Sequence, residues 1–240
     1  MLPDSGVRLV GGRTMVAKTG ARRGSKEQQT GRGRTNGEPR VLGEQGERTR
    51  QRLLDAAKKV FKERTYPDTR VDDITREAGT SHGAFYLYFS NKAEVLEALA
   101  IETAERMYVL ADELDGMEKG EAGYEQLRTW MEHFIDNYEE NSPVVVAWMS
   151  ARPQDERFDR LGREVLSKFA GRIAHTIRSS EADGDRHPVH AGVAAVALIA
   201  MLERFCYYWL VRGGGFNRDE VVDTMAAIWH QGIFGSSHKD

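Results

Sequence analysis

The sequence predicts an all-α protein, with a small N-terminal head built on a helix-turn-helix and a larger helical C-terminal half. Three observations carry that reading. Apolar residues recur at helical spacing in nearly every segment after Glu47. Those segments are bounded by cap residues and glycines rather than by strand-type alternation. The stretch from Thr69 to Lys92 also reads as two short helices joined through Gly79, followed by the start of another.

Before the head, residues 1–46 are rich in Gly, Arg, Thr and Gln, with scarcely a large apolar side chain between Val16 and Val41. Such a segment cannot bury enough surface to offset its ordering entropy and is expected to be a disordered, basic tail. It reads either as an arm that adds phosphate contacts or as a tail without a role, and Met15 is an alternative start. Up to Arg50, eleven basic side chains face five acidic ones, although the net charge of the whole chain is −3. A basic end therefore precedes a strongly acidic remainder, a division that suits nucleic acid at one end only. Cys206 is the single cysteine, so no intrachain disulfide can form. No apolar run reaches the length of a membrane span and no signal-peptide pattern opens the chain. A cytoplasmic protein is expected.

The first helix is expected over residues 47–64, where Leu53, Ala56, Ala57, Val60 and Phe61 form its apolar stripe. Arg48, Arg50 and Arg52 near its start face phosphate or simply solvent. Thr65-Tyr66-Pro67-Asp68 breaks it, since Pro67 disfavours helix in the residue before. Val71, Ile74 and Ala78 then share one face of a second helix, which Thr69 and Asp72 open as a capping pair. Gly79 ends it in the left-handed conformation. A very short third helix is capped by Thr80 or Ser81 and packs through Ala84, Phe85 and either Leu87 or Tyr88; its length suits a groove about 12 Å wide. Phe85 and Phe89 are assigned to the core beneath it. The fourth helix opens at Asn91 or Lys92 and runs to about Asp115, through Val95, Leu96, Leu99, Met107 and Leu110.

The apolar first helix, Asp73-Ile74, Ala78-Gly79, the Tyr86-to-Phe89 run and Asn91-Lys92 together resemble the DNA-binding domain of the TetR family of bacterial transcriptional repressors. The resemblance spans Arg48 to Leu99, with Thr65 standing where the family often has glycine. It implies base-edge contacts from Ser81, His82, Gly83 and Ala84, with Ala84 able to touch a thymine methyl. Tyr86, Tyr88 and Lys92 are expected at phosphates, although packing remains open for Tyr88. Thr69, Arg70 and Thr80 complete the expected DNA-facing set.

Beyond a glycine-marked loop near 116–122, the chain reads as helices throughout. One runs from about Tyr124 to Asn141. Ser142-Pro143 is expected to cap a separate helix to about Ala151. A long amphipathic stretch covers 155–180, a polar break 181–187, and an apolar helix runs from Pro188 to about Arg212. Asn217-x-x-Glu220 caps the last helix, which ends near Phe234-Gly235. This layout is similar in broad form to the regulatory half of TetR-like proteins, and Leu202-Glu203-Arg204-Phe205 with Ile228-Trp229 looks like actinobacterial repressors with deep apolar pockets. The division implied is tail 1–46, head 47–95, and a ligand-binding and dimerisation domain 96–236.

For the pocket, the expected lining is Trp130, Met131, Phe134, Trp148, Met149, Phe169, Ile173 and Tyr207, with Glu203 as an orienting polar group. Met201, Phe205 and Tyr208, with Val222, Met225 and Trp229, are expected to pair with a second subunit across a two-fold. Enzyme motifs are missing: there is no His-Glu-x-x-His, phosphate loop or Gly-x-Ser-x-Gly. His187-x-x-His190 lacks further ligands for a metal, Cys206 reads as inert packing, and no cofactor is expected. The expectation is a homodimeric repressor that reads a palindromic operator in double-stranded DNA and is released by a small apolar ligand. A ligand-independent DNA-organising protein with low sequence preference is the alternative.

Overall fold

Eight α-helices account for most of the residues described by the computed structural model, which are 43–151, 155–182 and 190–235. Most of the tail and the break at 183–189, with Pro188 and His187, lie outside the described residues. Among the described residues there is no strand.

α1 (Glu44–Glu63) buries Leu53, Leu54, Ala56, Ala57, Val60 and Phe61, the expected stripe with Leu54 added. α2 (Val71–Glu77) begins one residue later than the capping pair suggested. The backbone N–H of Arg70 donates to Asp73 Oδ2 at 3.0 Å. Gly79 follows α2 at φ +60°, which only glycine adopts without a Cβ penalty. α3 (His82–Phe85) is capped by Ser81, whose Oγ accepts the Ala84 N–H at 3.2 Å. α4 (Lys92–Asp112) is capped by Asn91, whose Oδ1 accepts from Ala93 and Glu94. It runs without a break across the expected domain boundary at 95/96.

α5 (Gly120–Ala151) corrects the reading of Ser142-Pro143 as a helix start, because the helix passes straight through Pro143. Proline removes the N–H that Glu139 O would accept in a regular helix. Ser142 Oγ donates to that carbonyl instead, at 3.1 Å. α6 (Glu156–Ala182) packs on α7 (Ala191–Cys206), which continues as a π-helical turn over Tyr207–Val211. α8 (Arg218–Phe234), capped by Asn217, packs on α5.

The expectation that no apolar run reaches membrane length is also corrected. Ala191–Val211 is long and apolar enough to cross a membrane by length and composition. Glu203 and Arg204 lie within it, and charged side chains at bilayer depth are costly.

Two apolar cores divide the described residues. The head-side core joins α1, α2, α3 and the first half of α4 with Val144, Ala147, Trp148 and Ala151 of α5 and Phe158 of α6. The second joins the rest of α4 and α5 with α6, α7 and α8. Charged side chains tie head to body beside this seam. Lys58 Nζ donates to Asn141 Oδ1 at 2.9 Å and meets Glu140 at 3.4 Å, while Arg106 reaches Glu140 at 3.1 Å.

Burial pushes the Glu140 carboxyl up, but Lys58 and Arg106 outweigh it and hold the group below the ordinary carboxylate range. A depressed carboxylate stabilises the fold above its unfolded pKa, and that contribution is lost as pH falls through the folded value. Glu140→Gln is therefore expected to cost under about 1 kcal/mol at neutral pH, as for exposed pairs. Urea melts across pH should show the difference shrinking toward zero as pH falls below the ordinary carboxylate range; a constant gap would assign the loss to packing.

Candidate functional site

The head presents its third helix outward. Ser81, His82 and Gly83 are exposed, and a Cβ added at Gly83 would meet only Ser81 Oγ at 3.9 Å. Tyr86 is 52% and Leu87 64% exposed, whereas Phe85 is 0% and Phe89 5% exposed. The alternative left open for packing thus resolves: Tyr88 is half-buried against the head-side core, and Leu87 points away from it. Leu87 is thus an exposed apolar residue on the presented surface. His82 pairs through Nε2 with Asp72 Oδ1, and its ring lies 6.1 Å from that of Tyr86.

Two of the expected DNA-facing residues, Thr69 and Lys92, sit differently. Thr69 is 1% exposed and its hydroxyl donates to Thr65 O at 3.0 Å, so it is an internal strut and not a surface group. Thr80 and Ala84 are only half-buried, and Arg70 is exposed at the start of α2. Lys92 Nζ donates to three backbone carbonyls, Tyr66 O at 2.8 Å, Pro67 O at 2.9 Å and Thr69 O at 2.7 Å. An ammonium has three hydrogens, and here all are committed to the turn between α1 and α2. Desolvation lowers the Lys92 pKa against the pull of Asp68. Lys92 thus positions the head and has no hydrogen left for phosphate.

In the body, a cavity of about 290 Å³ opens between α4, α5, α6, α7 and α8. Of the residues expected to line it, Phe134, Trp148, Met149, Phe169 and Glu203 do. Trp130, Met131, Ile173 and Tyr207 do not. Trp130 stacks on Trp229 with centroids 4.9 Å apart and donates to Leu110 O at 2.8 Å. Met131 and Ile173 are 0% exposed in the surrounding core, and Tyr207 begins the π-helical turn with Arg204 over its ring.

Tyr138 and Trp229 also line the cavity. Tyr138 is 1% exposed and its hydroxyl has no hydrogen-bond partner. Burial, then Glu203, pushes its pKa well above the ordinary phenol range. Cys206 is buried with its thiol pushed up to about 12 by burial and then Glu203, a protonated and unreactive state.

The expected dimer face needs correction. Val222, Met225 and Trp229 are 1%, 5% and 0% exposed within this chain alone, so a second subunit could not reach them. Met201 and Phe205 are half-buried, and Tyr208 is exposed. The apolar side chains exposed on α7, the π-helical turn and α8 are Val193, Val196, Tyr208, Val211 and Ile228, of which Val196 also lines the cavity. Among the described residues no cluster of His, Cys, Asp and Glu is placed to hold a metal ion.

These parts define a class: a helix-turn-helix head that shares one apolar seam with a helical body enclosing a cavity. The chain belongs to the TetR family of bacterial regulatory proteins, which are transcription regulators and not enzymes. Residues 53–99 match the family model described as bacterial regulatory proteins, tetR family. Residues 127–235 match that of the C-terminal domain of the transcriptional regulator EthR.

The uncharacterized regulator TtgW of Pseudomonas putida is 49% identical over 51 residues, 21% of this chain and 38% of that protein. The chain thus matches well under half the length of that relative. EthR of Mycobacterium tuberculosis is 26% identical over 194 residues, 77% of this chain and 87% of that protein. A likeness of fold alone extends to FadR from Bacillus subtilis, solved in complex with stearoyl-CoA, with a TM-score of 0.60 at 16% identity over 76% of this chain and 98% of that one.

Proposed function

We propose that this chain is a cytoplasmic, homodimeric repressor that binds a palindromic operator and is released by a small apolar ligand held in the α4–α8 cavity. The observation that carries the reading is Trp148, which lines the cavity and is also buried in the head-side core. Ser81, His82, Gly83 and Tyr86 form the surface that enters the major groove, with Arg70 at the flanking backbone and Lys92 holding the turn behind it. The outward apolar face of Val193, Val196, Tyr208 and Ile228 supports pairing with a second copy. Two heads spaced about 34–36 Å apart, or a multiple of that, match successive major grooves. A ligand that fits one head spacing better shifts the population toward it, and only that differential affinity drives release.

The stearoyl-CoA in the FadR structure makes acyl compounds a reasonable starting class. Selection of duplexes from a random pool at near-physiological salt tests the DNA half of the proposal. An enriched palindrome is expected. Tyr86→Ala should weaken its binding about ten- to a hundredfold, the loss of a hydrogen bond to a charged group. Salt-sensitive binding without enrichment would instead support the DNA-organising reading.

A further inference from the structure

The volume of the cavity bounds the size of what it takes, an inference that rests on the ligand reading above. An apolar cavity of about 150 Å³ holds a benzene, a molecule of six carbons. At that packing the cavity of about 290 Å³ holds about twelve non-hydrogen atoms. Its inner wall is braced. Trp229 lines it and is 0% exposed, with the Trp130 ring packed against it at 4.9 Å. Trp130 is held in turn by Phe134 at 5.4 Å and by the hydrogen bond from its Nε1–H to Leu110 O, which tethers it to α4. Two indoles in contact, the rear one tied to backbone, make a floor that yields little in a close-packed interior. The other side is open. Leu166 of α6 and Val196 of α7 line the cavity and are 39% and 42% exposed.

We propose that the cavity takes compact apolar ligands of about twelve non-hydrogen atoms, and that Trp229 is the residue that sets this limit. A chain of about ten carbons with a small head group fits that size, as does a two-ring molecule. Each methylene buried between the floor and the opening adds to affinity. Carbons beyond that depth stay in water beside Leu166 and Val196 and add almost nothing. Within the acyl class, the medium-chain members are therefore the ligands, and an eighteen-carbon chain gains nothing over them.

The test uses the full chain, naphthalene, and the methyl esters of the even-numbered acids from hexanoate to tetradecanoate. Binding is read by calorimetry and by the shift in melting temperature. Each two-carbon step up to methyl decanoate should tighten binding about tenfold, the gain from two buried methylenes. Each later step should add less than about threefold. A gain of about tenfold per step that continues to methyl tetradecanoate would overturn the size limit. Trp229→Phe takes three atoms off the floor and should carry the tenfold gain on to methyl dodecanoate. Leu166→Ala takes three atoms off the opening and should weaken the whole series without moving the break. A break that stays put in Trp229→Phe, or moves as far in Leu166→Ala, would remove Trp229 as the floor. Phe134→Leu, three atoms smaller beside Trp130, makes the same test if the indole variant does not fold. If neither naphthalene nor any ester binds, the cavity is not a ligand site and the ligand reading itself falls.

Discussion

Phe85→Ala is expected to uncouple the head from the body before any other single change in the DNA-reading element does. Its ring is 0% exposed, packs edge-on against Tyr86 at 5.4 Å and lies 5.9 Å from Phe89. Truncating a fully buried phenylalanine costs about 3–5 kcal/mol, part transfer and part cavity. A domain holds only about 5–15 kcal/mol in all, so the loss takes a large share of what keeps α3 seated on α1 and α2. The third helix is only four residues long, and a helix that short depends on tertiary packing and its cap. Three of the four tryptophans, Trp130, Trp209 and Trp229, lie in the body core, and Trp148 packs in the head-side core. Far-UV circular dichroism in urea should therefore show an early loss of helix while Trp130 and Trp229 fluorescence still reports a folded body. DNA binding should disappear with the first phase. Coincident transitions at the wild-type midpoint would mean that α3 is not held by this ring.

Much of this arrangement is legible in the sequence because it is written in local chemistry. Ser81, Asn91 and Asn217 are N-caps whose side-chain oxygens accept backbone N–H groups, and Gly79 takes the positive φ that its position after α2 requires. What could not be read depends on what lies across the chain. Val222, Met225 and Trp229 share one face of α8 and Ile228 another. Periodicity finds the stripe but cannot say whether it faces its own core or a second subunit. Thr69 looks like a cap, yet the backbone turns one residue later and leaves it buried. Pro143 looks like a helix start because the rule about its missing N–H is sound. The rescue comes from Ser142 Oγ on the Glu139 carbonyl, which no composition signal announces. Lys92 reads as a surface charge until three carbonyls from the preceding turn converge on it. Tyr138 sits in an ordinary apolar stripe, and only the packed structure reveals that its hydroxyl lacks a partner.

The seam between the two cores sets the second large effect. Of the buried apolar side chains that line the cavity, Trp148 is the one that belongs to the head-side core. Its Nε1–H donates to Phe158 O at 2.9 Å, tying α5 to the start of α6 beneath the head. A ligand pressing on this indole must move the ring, the Phe158 segment or both. Each of these touches the packing that orients α1 and α4.

Trp148→Phe keeps an aromatic ring in the wall but leaves the buried Phe158 carbonyl without its donor, a loss of about 1–3 kcal/mol in stability. Its larger consequence is for coupling. In the wild type, saturating ligand is expected to weaken operator binding by about 5- to 150-fold, the usual range for linked sites. In the variant that coupling should fall by about 0.5–2 kcal/mol, measured separately from the change in ligand affinity that a narrower ring in the wall brings. Titrating the selected operator duplex by anisotropy, with and without methyl decanoate, measures both quantities on the same protein. Full coupling retained at unchanged ligand affinity would remove Trp148 from the path. The Lys58–Asn141 contact and the packing of Val144, Ala147 and Ala151 in the head-side core would then be links that remain.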